Sequence, residues 1–244
     1  MNKGRVALIT GASVGIGRAV ALKLASEGKD LILLDIDSDG LEAVKADCER
    51  MGVGVQICAC DVSSEEQVNE AVRVGLERFK RIDILVNNAA LWRASHPFLE
   101  ISVAEWTTYW NVNVMGVVYL TRAVLGQMIE NGYGRIINVA SVAGVYGNAK
   151  MSCYSATKGA IISFTKALAK EVAEQGITVN SVSPGTVSNS DEGDENYVMP
   201  SSMSYMGRTG TGAENANLIA FLSSEGAGYI SGQNIQIDGC RKRI

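Results

Sequence analysis

Histidine, proline and long apolar runs are scarce in this chain. Of its 244 residues one is histidine and three are proline, against 26 glycines. The single histidine, His96, and the lack of cysteines at ligand spacing predict that the chain has no metal site. So few prolines among so many glycines indicate tight turns rather than proline-rich linkers.

Two further shortages bear on location and partners. The first apolar run, Val6–Ile9, is too short for a signal peptide or a membrane span. The five cysteines include no Cys-x-x-Cys pair, a usage typical of reduced thiols in a cytoplasmic protein. The formal net charge of −4 does not suggest the basic face that binds nucleic acid. We therefore expect a cytoplasmic protein with no nucleic-acid and no membrane partner.

Short aliphatic runs alternate with longer stretches of helical periodicity along the whole sequence. Strands with almost no polar residues are typical of a parallel sheet that helices cover on both faces. The pattern predicts an α/β fold, namely a Rossmann-like, doubly wound parallel sheet of about seven strands in a single domain over residues 1–244. The predicted strands are Val6–Ile9, Leu31–Asp35, Val55–Ala59, Ile84–Val86, Arg135–Val139, Thr178–Val182 and Asn234–Ile237.

A glycine-rich turn follows the first predicted strand and leads into a helix. Gly11, Gly15 and Gly17 allow a tight turn and a close approach of the backbone to a pyrophosphate. The N-terminus of the helix offers free N–H groups and the positive end of its dipole to that anion. We predict a dinucleotide-binding turn here, with Ser13 and Ile16 as further cofactor-binding residues.

An acidic residue, Asp35, ends the second predicted strand about 20 residues after the turn, where a ribose-binding carboxylate is expected. A carboxylate accepts hydrogen bonds from both ribose hydroxyls and repels a 2′-phosphate, so Asp35 predicts NAD as the cofactor. Asp37 and Asp39 compete for this role, but Asp35 directly ends the apolar run. Val14 and Ile36 supply no cation for a 2′-phosphate.

Tyr154 and Lys158 form a second constellation. The sequence predicts a helix over Ser152–Ala173, which places these two side chains on one face. A free tyrosine, with a pKa of about 10, is a poor base at neutral pH. A neighbouring ammonium group favours the phenolate, so Lys158 is expected to lower the pKa of Tyr154. Alone, a pair of this kind is common on protein surfaces.

The ordered set of motifs resembles the short-chain dehydrogenase/reductase family. It runs through the glycine-rich turn, Asp35, Asp61-Val62, Asn87-Asn88-Ala89-Ala90, Asn113, Ser141, Tyr154-x-x-x-Lys158, Pro184-Gly185 and Ile237-Asp238-Gly239. The resemblance covers nearly the full chain, and the set is specific although each member alone is not. It implies a Rossmann-type fold and hydride transfer between a nicotinamide cofactor and a CH–OH group.

The resemblance also implies roles for individual residues. Tyr154 is the general acid/base at the substrate oxygen, and Ser141 hydrogen-bonds that oxygen. Lys158 holds the nicotinamide ribose and depresses the pKa of Tyr154, and Asn113 positions a water for proton relay. The remaining cofactor-binding residues are Asp61 and Val62 at the adenine, Asn88 and Ala89 along the cofactor, and Pro184, Gly185 and Val187 near the nicotinamide.

The same resemblance bears on the assembly of the protein. The stretches Val103–Glu130 and Ser152–Gln175 usually form a subunit interface in this family, which implies a homotetramer.

The sequence departs from the family pattern at a few positions. Ala90 stands where the family usually has glycine, and Ala140 stands where a second serine often precedes the catalytic one. Residues 188–190 occupy the place of a threonine that often contacts the cofactor, so this contact is left open.

The segment 188–206 carries four acidic residues and three methionines and has no clear helical or strand periodicity. Long loops in compact domains are usually functional lids or disordered segments. The segment follows a late strand, and ligands in this fold bind at the carboxyl ends of strands. We therefore predict a substrate lid over residues 188–206, with a disordered segment as the alternative.

Three functions fit the motifs. We favour an NAD-dependent oxidation of a small neutral secondary alcohol, such as a polyol, a sugar or a cyclic alcohol. A 3-oxoacyl-[acyl-carrier-protein] reductase is a relative that uses NADPH and docks an acidic carrier through arginines. Asp35 and the acidic segment 188–206 oppose that function, and Gly132, Tyr133 and Gln175 occupy the positions of those arginines. A catalytically silent dinucleotide-binding sensor is disfavoured, because all four catalytic positions are filled.

Overall fold

The computed structural model describes residues 4–92, 96–188 and 194–242. Its centre is one sheet of seven parallel strands in the order β3-β2-β1-β4-β5-β6-β7. The predicted doubly wound fold is confirmed, and every predicted strand is present within a few residues of its predicted ends. The strands are β1 (Val6–Thr10), β2 (Asp30–Asp35), β3 (Val55–Ala59), β4 (Ile84–Asn87), β5 (Gly134–Val139), β6 (Ile177–Pro184) and β7 (Asn234–Ile237).

Helices cover both faces of the sheet. They are α1 (Gly15–Ser26), α2 (Ser38–Glu49), α3 (Glu65–Phe79), α4 (Val103–Trp110), α5 (Gly116–Glu130), α6 (Val142–Tyr146), α7 (Ser152–Val172) and α8 (Gly212–Leu222). Helices α1, α2 and α8 bury their apolar residues in one core, against one face of the strands. Helices α3, α5 and α7 bury theirs in a second core on the other face. Two apolar cores explain why the central strands β1, β2 and β4 are mostly apolar.

The predicted helical stretch Val103–Glu130 is not one continuous α-helix. A π-helical turn, Asn111–Met115, lies between α4 and α5. Single π-helical turns within α-helices frequently occur at functional sites. Here the turn carries Asn113, which is 1% exposed and bonds to the loop after β4.

Among the described residues, one helical stretch is long and apolar enough to cross a membrane by length and composition, and it is again Val103–Glu130. Of its most apolar window, 44% is buried inside the fold. Core helices pass the same test, and Leu120 and Val124 of α5 belong to the core beneath the sheet. The burial accounts for the apolar character of this stretch.

The segment 188–206, the predicted lid, includes residues 189–193, which lie outside the described residues. Its described part contacts helices α8 and α1. The backbone carbonyl of Glu195 accepts a hydrogen bond from Ala213 N–H at the start of α8 (3.0 Å). The Glu195 carboxylate pairs with Arg18 of α1. That the segment acts as a lid stays a prediction.

The far end of the same segment pairs with the C-terminal residues. Tyr205 N–H donates to the Cys240 carbonyl (2.9 Å), and Lys242 N–H donates to the Met203 carbonyl (2.9 Å). The ammonium of Lys242 lies 5.3 Å from the centre of the Tyr205 ring, within the range of a cation–π contact. We call this paired structure, residues 203–206 with 239–242, the C-terminal ribbon.

Candidate active site

The sequence-predicted site residues lie at the carboxyl ends of the strands. Because all seven strands are parallel, these ends share one edge of the sheet. Along that edge they are Asp61 after β3, Asp35 at the end of β2, Gly11 after β1, Asn88 after β4, Ser141 after β5 and Gly185 after β6. The strand order reverses between β1 and β4, and ligands bind at this switch point in open α/β sheets.

The turn after β1 requires its glycines. Gly11 and Gly15 have φ angles of +63° and +59°, a region that favours glycine. A Cβ on Gly17 would lie 1.9 Å from the carbonyl oxygen of Gly11, so no larger residue fits there without moving the backbone. Ser13 and Ile16 complete this tight turn, and α1 begins within it at Gly15.

Thr10 fastens this turn to the loop after β4. Its Oγ1 accepts hydrogen bonds from the N–H groups of Asn88 and Ala89, both at 3.0 Å. The side-chain amide of Asn88 donates in return to the carbonyls of Thr10 (2.9 Å) and Gly11 (3.0 Å). Sequence reasoning missed Thr10, although its place directly before Gly11 was a signal. Asn88 uses its amide group to hold the turn.

Asp35 faces the same turn. One carboxylate oxygen, Oδ2, accepts hydrogen bonds from Ser13 N–H (3.0 Å) and from the Ser13 hydroxyl (2.7 Å). Its competitor Asp37 caps α2, where it accepts a hydrogen bond from Gly40 N–H (3.1 Å). Val14 and Ile36 beside it are 60% and 77% exposed. Asp35 is thus the carboxylate placed at the turn, between two exposed apolar side chains.

Ser141 and Tyr154 meet beyond the end of β5. Ser141 caps α6, and its Oγ accepts a hydrogen bond from Ala143 N–H (3.1 Å). Burial raises the pKa of the Tyr154 phenol, while its hydrogen bond with Ser141 opposes the rise. The hydrogen bond brings together the two groups predicted to share the substrate oxygen.

Lys158 lies one helical turn after Tyr154 and is 3% exposed. Its ammonium donates a hydrogen bond to the Val139 carbonyl (2.7 Å) and lies 5.7 Å from the centre of the Tyr154 ring. Burial lowers the pKa of Lys158 to about 8. That Lys158 lowers the pKa of Tyr154 stays a prediction. Burial of the phenol is the largest influence on that pKa, and the ammonium bonds to a backbone carbonyl.

Asn113 joins the π-helical turn to two other parts of the site. Its Oδ1 accepts a hydrogen bond from Leu91 N–H (2.7 Å), and its Nδ2 donates to the Leu91 carbonyl (3.1 Å). The same Nδ2 donates to the Thr157 hydroxyl of α7 (3.1 Å). The side chain therefore connects the loop after β4 with the helix that carries Tyr154. Its part in a water relay stays a prediction.

The other predicted cofactor residues occupy both ends of the sheet edge. On the side predicted to bind adenine, Asp61 is exposed and accepts hydrogen bonds from Ser63, whereas Val62 is buried. On the side predicted to bind the nicotinamide, Pro184 ends β6, and a Cβ on Gly185 would lie 2.9 Å from the Cα of Asp238. Val187 forms a β-bridge with Gly210.

A small pocket adjoins Tyr154. Its polar lining comes from His96, Glu105, Tyr109 and Lys150, and its remaining wall from Ile101, Met151 and Cys153. The backbone joins two sides of it, because His96 N–H donates to the Lys150 carbonyl (2.9 Å). Donors and an acceptor thus line a space that Tyr154 also borders. Sequence reasoning missed Glu105 and Lys150, which belong to no motif.

Comparison with known proteins agrees with this geometry. The chain matches the short chain dehydrogenase family over residues 5–196. It is 38% identical over 245 residues to the 3-oxoacyl-[acyl-carrier-protein] reductase FabG of Aquifex aeolicus, with 97% of each chain covered. A solved structure of NAD+-bound xylitol dehydrogenase is similar with a TM-score of 0.90 at 34% identity, over 97% of this chain and 98% of that one. Levodione reductase has a TM-score of 0.89 at 34% identity, over 97% of both chains. The chain therefore belongs to the short-chain dehydrogenase family and is an oxidoreductase that acts on CH–OH groups.

Proposed function

We propose that this oxidoreductase uses NAD to oxidise a small neutral secondary alcohol, such as a polyol, a sugar or a cyclic alcohol. The observation that carries the proposal is the position of Asp35, bonded to the glycine-rich turn on the sheet edge that also holds Ser141, Tyr154 and Lys158. A ribose-reading carboxylate and an acid/base tyrosine thus serve one site.

The residues of the turn fit a dinucleotide. A Cβ at Gly11 would lie 2.9 Å from the Ala89 Cα, and one at Gly17 would strike the Gly11 carbonyl, so the backbone itself lines the switch point between β1 and β4. Asp35 is a hydrogen-bond acceptor for the adenosine ribose, and the start of α1 attracts the pyrophosphate. A nicotinamide bound there would supply the acceptor for the hydride of the alcohol carbon.

The chain's own residues move the proton. In the oxidation direction the phenolate of Tyr154 accepts the proton of the substrate hydroxyl, and in reduction the phenol returns it. The Ser141 hydroxyl, which already bonds Tyr154, donates a hydrogen bond to the substrate oxygen. Lys158, when protonated, favours the phenolate through its positive charge.

Two observations support a small hydroxylated substrate. The pocket beside Tyr154 is lined by His96, Glu105 and Lys150, which together offer donors and an acceptor to a second hydroxyl. Its free volume is about 10 Å³, and a cavity needs roughly 10–15 Å³ on this scale to hold one water molecule. Such a space has room for about one hydroxyl group. Xylitol dehydrogenase and levodione reductase, both similar in structure, are named for small substrates.

We further propose a cytoplasmic homotetramer. Helices α4 and α5 expose large apolar residues, with Val103 82%, Trp110 42% and Ile129 43% exposed. In a homotetramer a partner subunit would cover such residues. These helices and α7 are the stretches that the family resemblance assigns to an interface.

The second candidate is reduction of a 3-oxoacyl thioester. The 38% identity to an acyl-carrier-protein reductase over 97% of both chains favours it. Against it stand Asp35 and the uncharged Gly132, Tyr133 and Gln175 at the positions where the carrier-binding arginines are expected. The Tyr133 ring is covered by the guanidinium of Arg5 at 3.5 Å, so its packing is explained without a partner.

A panel of substrates separates the two candidates. We expect NAD-dependent oxidation of secondary alcohols, which is measured by the absorbance of NADH. Polyols, sugars and cyclic alcohols should give the highest kcat/KM. The same enzyme should reduce a 3-oxoacyl thioester with NADPH at least tenfold less efficiently. Efficient NADPH-dependent reduction of the thioester, with no oxidation of any alcohol, would replace the first candidate with the second.

Tyr154→Phe should lower turnover by a factor on the order of 10²–10⁴ while NAD still binds, because it removes only the proton-transfer group. Since burial raises the pKa of Tyr154, the wild-type oxidation rate should increase as the pH rises toward that pKa. The reduction rate should decrease over the same range. Tyr229→Phe, at a fully exposed tyrosine, is the matched control. Near-normal turnover of Tyr154→Phe would contradict the mechanism.

Asp35→Ser should reduce the preference for NAD. Two unit charges about 4 Å apart repel by about 4 kcal/mol at an effective dielectric constant of about 20. Even a residual of about 1.4 kcal/mol gives tenfold discrimination, so the wild type should prefer NAD by more than tenfold in kcat/KM. Asp39→Ser, on the exposed side of α2, should leave the ratio unchanged. An unchanged ratio in Asp35→Ser would show that another residue reads the ribose.

Lys158→Met should abolish turnover yet stabilise the protein at pH 7. The pKa of Lys158 falls from 10.5 to about 8 on burial, which corresponds to a cost of about 3 kcal/mol for the buried ammonium. The variant avoids this cost, but it also loses the hydrogen bond to the Val139 carbonyl, which offsets about 1 kcal/mol of the stabilisation. Between about pH 8 and pH 10.5 the unfolded chain binds more protons than the folded chain, so the stability of the wild type should rise with pH.

Urea unfolding of the wild type and Lys158→Met at several pH values measures this difference. The variant's advantage should be largest below pH 8 and disappear toward pH 10.5, where the wild-type amine is neutral in both states. Lys166→Met, at an exposed position of the same helix, is the control and should change neither stability nor turnover strongly. A Lys158→Met variant clearly less stable than the wild type at pH 7 would contradict the argument.

A further inference from the structure

Thr157 lies between Tyr154 and Lys158 and is fully buried. Its hydroxyl donates a hydrogen bond to the backbone carbonyl of Tyr154 (2.9 Å). The same oxygen accepts a hydrogen bond from Asn113 Nδ2 (3.1 Å). One hydroxyl thus connects the π-helical turn after α4 with the helical turn of α7 that carries the acid/base pair.

We infer that Thr157 is a positioning residue for the proton transfer. Its hydroxyl fixes Asn113 of the π-helical turn against the turn of α7 that carries Tyr154 and Lys158. This inference rests on the proposed dehydrogenase function. Thr157 does not touch the substrate oxygen; it acts through the groups that it holds.

The argument depends on the chemistry of a hydroxyl. A hydroxyl donates and accepts at once, and Thr157 uses both capacities, toward the Tyr154 carbonyl and the buried Asn113 amide. Asn113 has two N–H groups on Nδ2, of which one binds the Leu91 carbonyl and the other binds Thr157. Valine has nearly the same shape but neither donates nor accepts, so it would leave a buried N–H without a partner.

The geometry also links Thr157 to the cofactor side. Asn113 bonds both backbone groups of Leu91, two residues after Ala89, whose N–H is held by Thr10. The hydroxyl of Thr157 is therefore the point where α7 is tied to the loop that borders the glycine-rich turn. Loss of this tie should disturb the spacing between the phenol and the cofactor side rather than cofactor affinity alone.

The same helix provides a matched control. Thr165, two turns later, is also fully buried and accepts a hydrogen bond from an asparagine amide, Asn138 Nδ2 (2.9 Å). Thr165→Val removes a hydroxyl of the same kind from the same helix, farther from Tyr154. Any effect that comes only from a lost buried hydrogen bond in α7 should appear in both variants.

The experiment compares Thr157→Val, Thr157→Ser and Thr165→Val in the full chain, with NAD and the best alcohol of the substrate panel. For Thr157→Val we expect kcat at least fivefold lower, KM for NAD within twofold of wild type, and the rise of oxidation rate displaced to higher pH. Thr157→Ser keeps the hydroxyl and should restore kcat and the pH profile to within twofold. Thr165→Val should unfold at a lower temperature but keep wild-type kcat and pH profile.

Two results would overturn the inference alone, namely a wild-type kcat and pH profile in Thr157→Val, or the same kinetic change in Thr165→Val. If Thr157→Val does not fold, Thr157→Ala removes the hydroxyl together with the γ-methyl group, introduces no new group, and carries the same expectations. A wild-type chain with no alcohol dehydrogenase activity would overturn the proposed function, and this inference with it. The two failures are therefore distinguishable.

Discussion

The parallel pairing of all seven strands is the constraint on which the rest of the structure depends. Parallel neighbours cannot be joined by a tight turn, so each connection must return across a face of the sheet. Every strand then delivers its carboxyl end to the same edge. Gly11, Asp35, Asn88 and Ser141, far apart in sequence, therefore all lie along that edge.

The polar groups that are buried at this edge need hydrogen-bond partners, since an unpaired buried donor costs about 1–3 kcal/mol. The chain meets this need with hydroxyls and amides in pairs. Thr10 and Asn88 hold the turn after β1, and Asn138 and Thr165 connect β5 with α7. The same pairing of threonine with asparagine recurs at Asn113 and Thr157, so much of the site is held by neutral groups.

The sequence was sufficient for the sheet and for the positions of its motifs. Strands buried on both faces leave a strong signal, and the turn glycines have a steric requirement that is visible at Gly17. The π-helical turn at Asn113 was not predictable, because one extra residue in a helical turn hardly alters a periodicity of about 3.6 residues. Nor was the environment of Lys158, since burial and the Val139 carbonyl depend on packing between distant segments.

The C-terminal ribbon has a practical consequence for anyone who handles the protein. Tyr205 and Met206 bond the backbone of Cys240 and Gly239, and Arg241 reaches the Asn148 side chain in the loop before α7 (3.1 Å). Residues 239–242 therefore connect the segment that follows β6 with the loop before Tyr154. A truncation that removes these residues would remove the connection, whereas β1 begins at the opposite edge of the sheet.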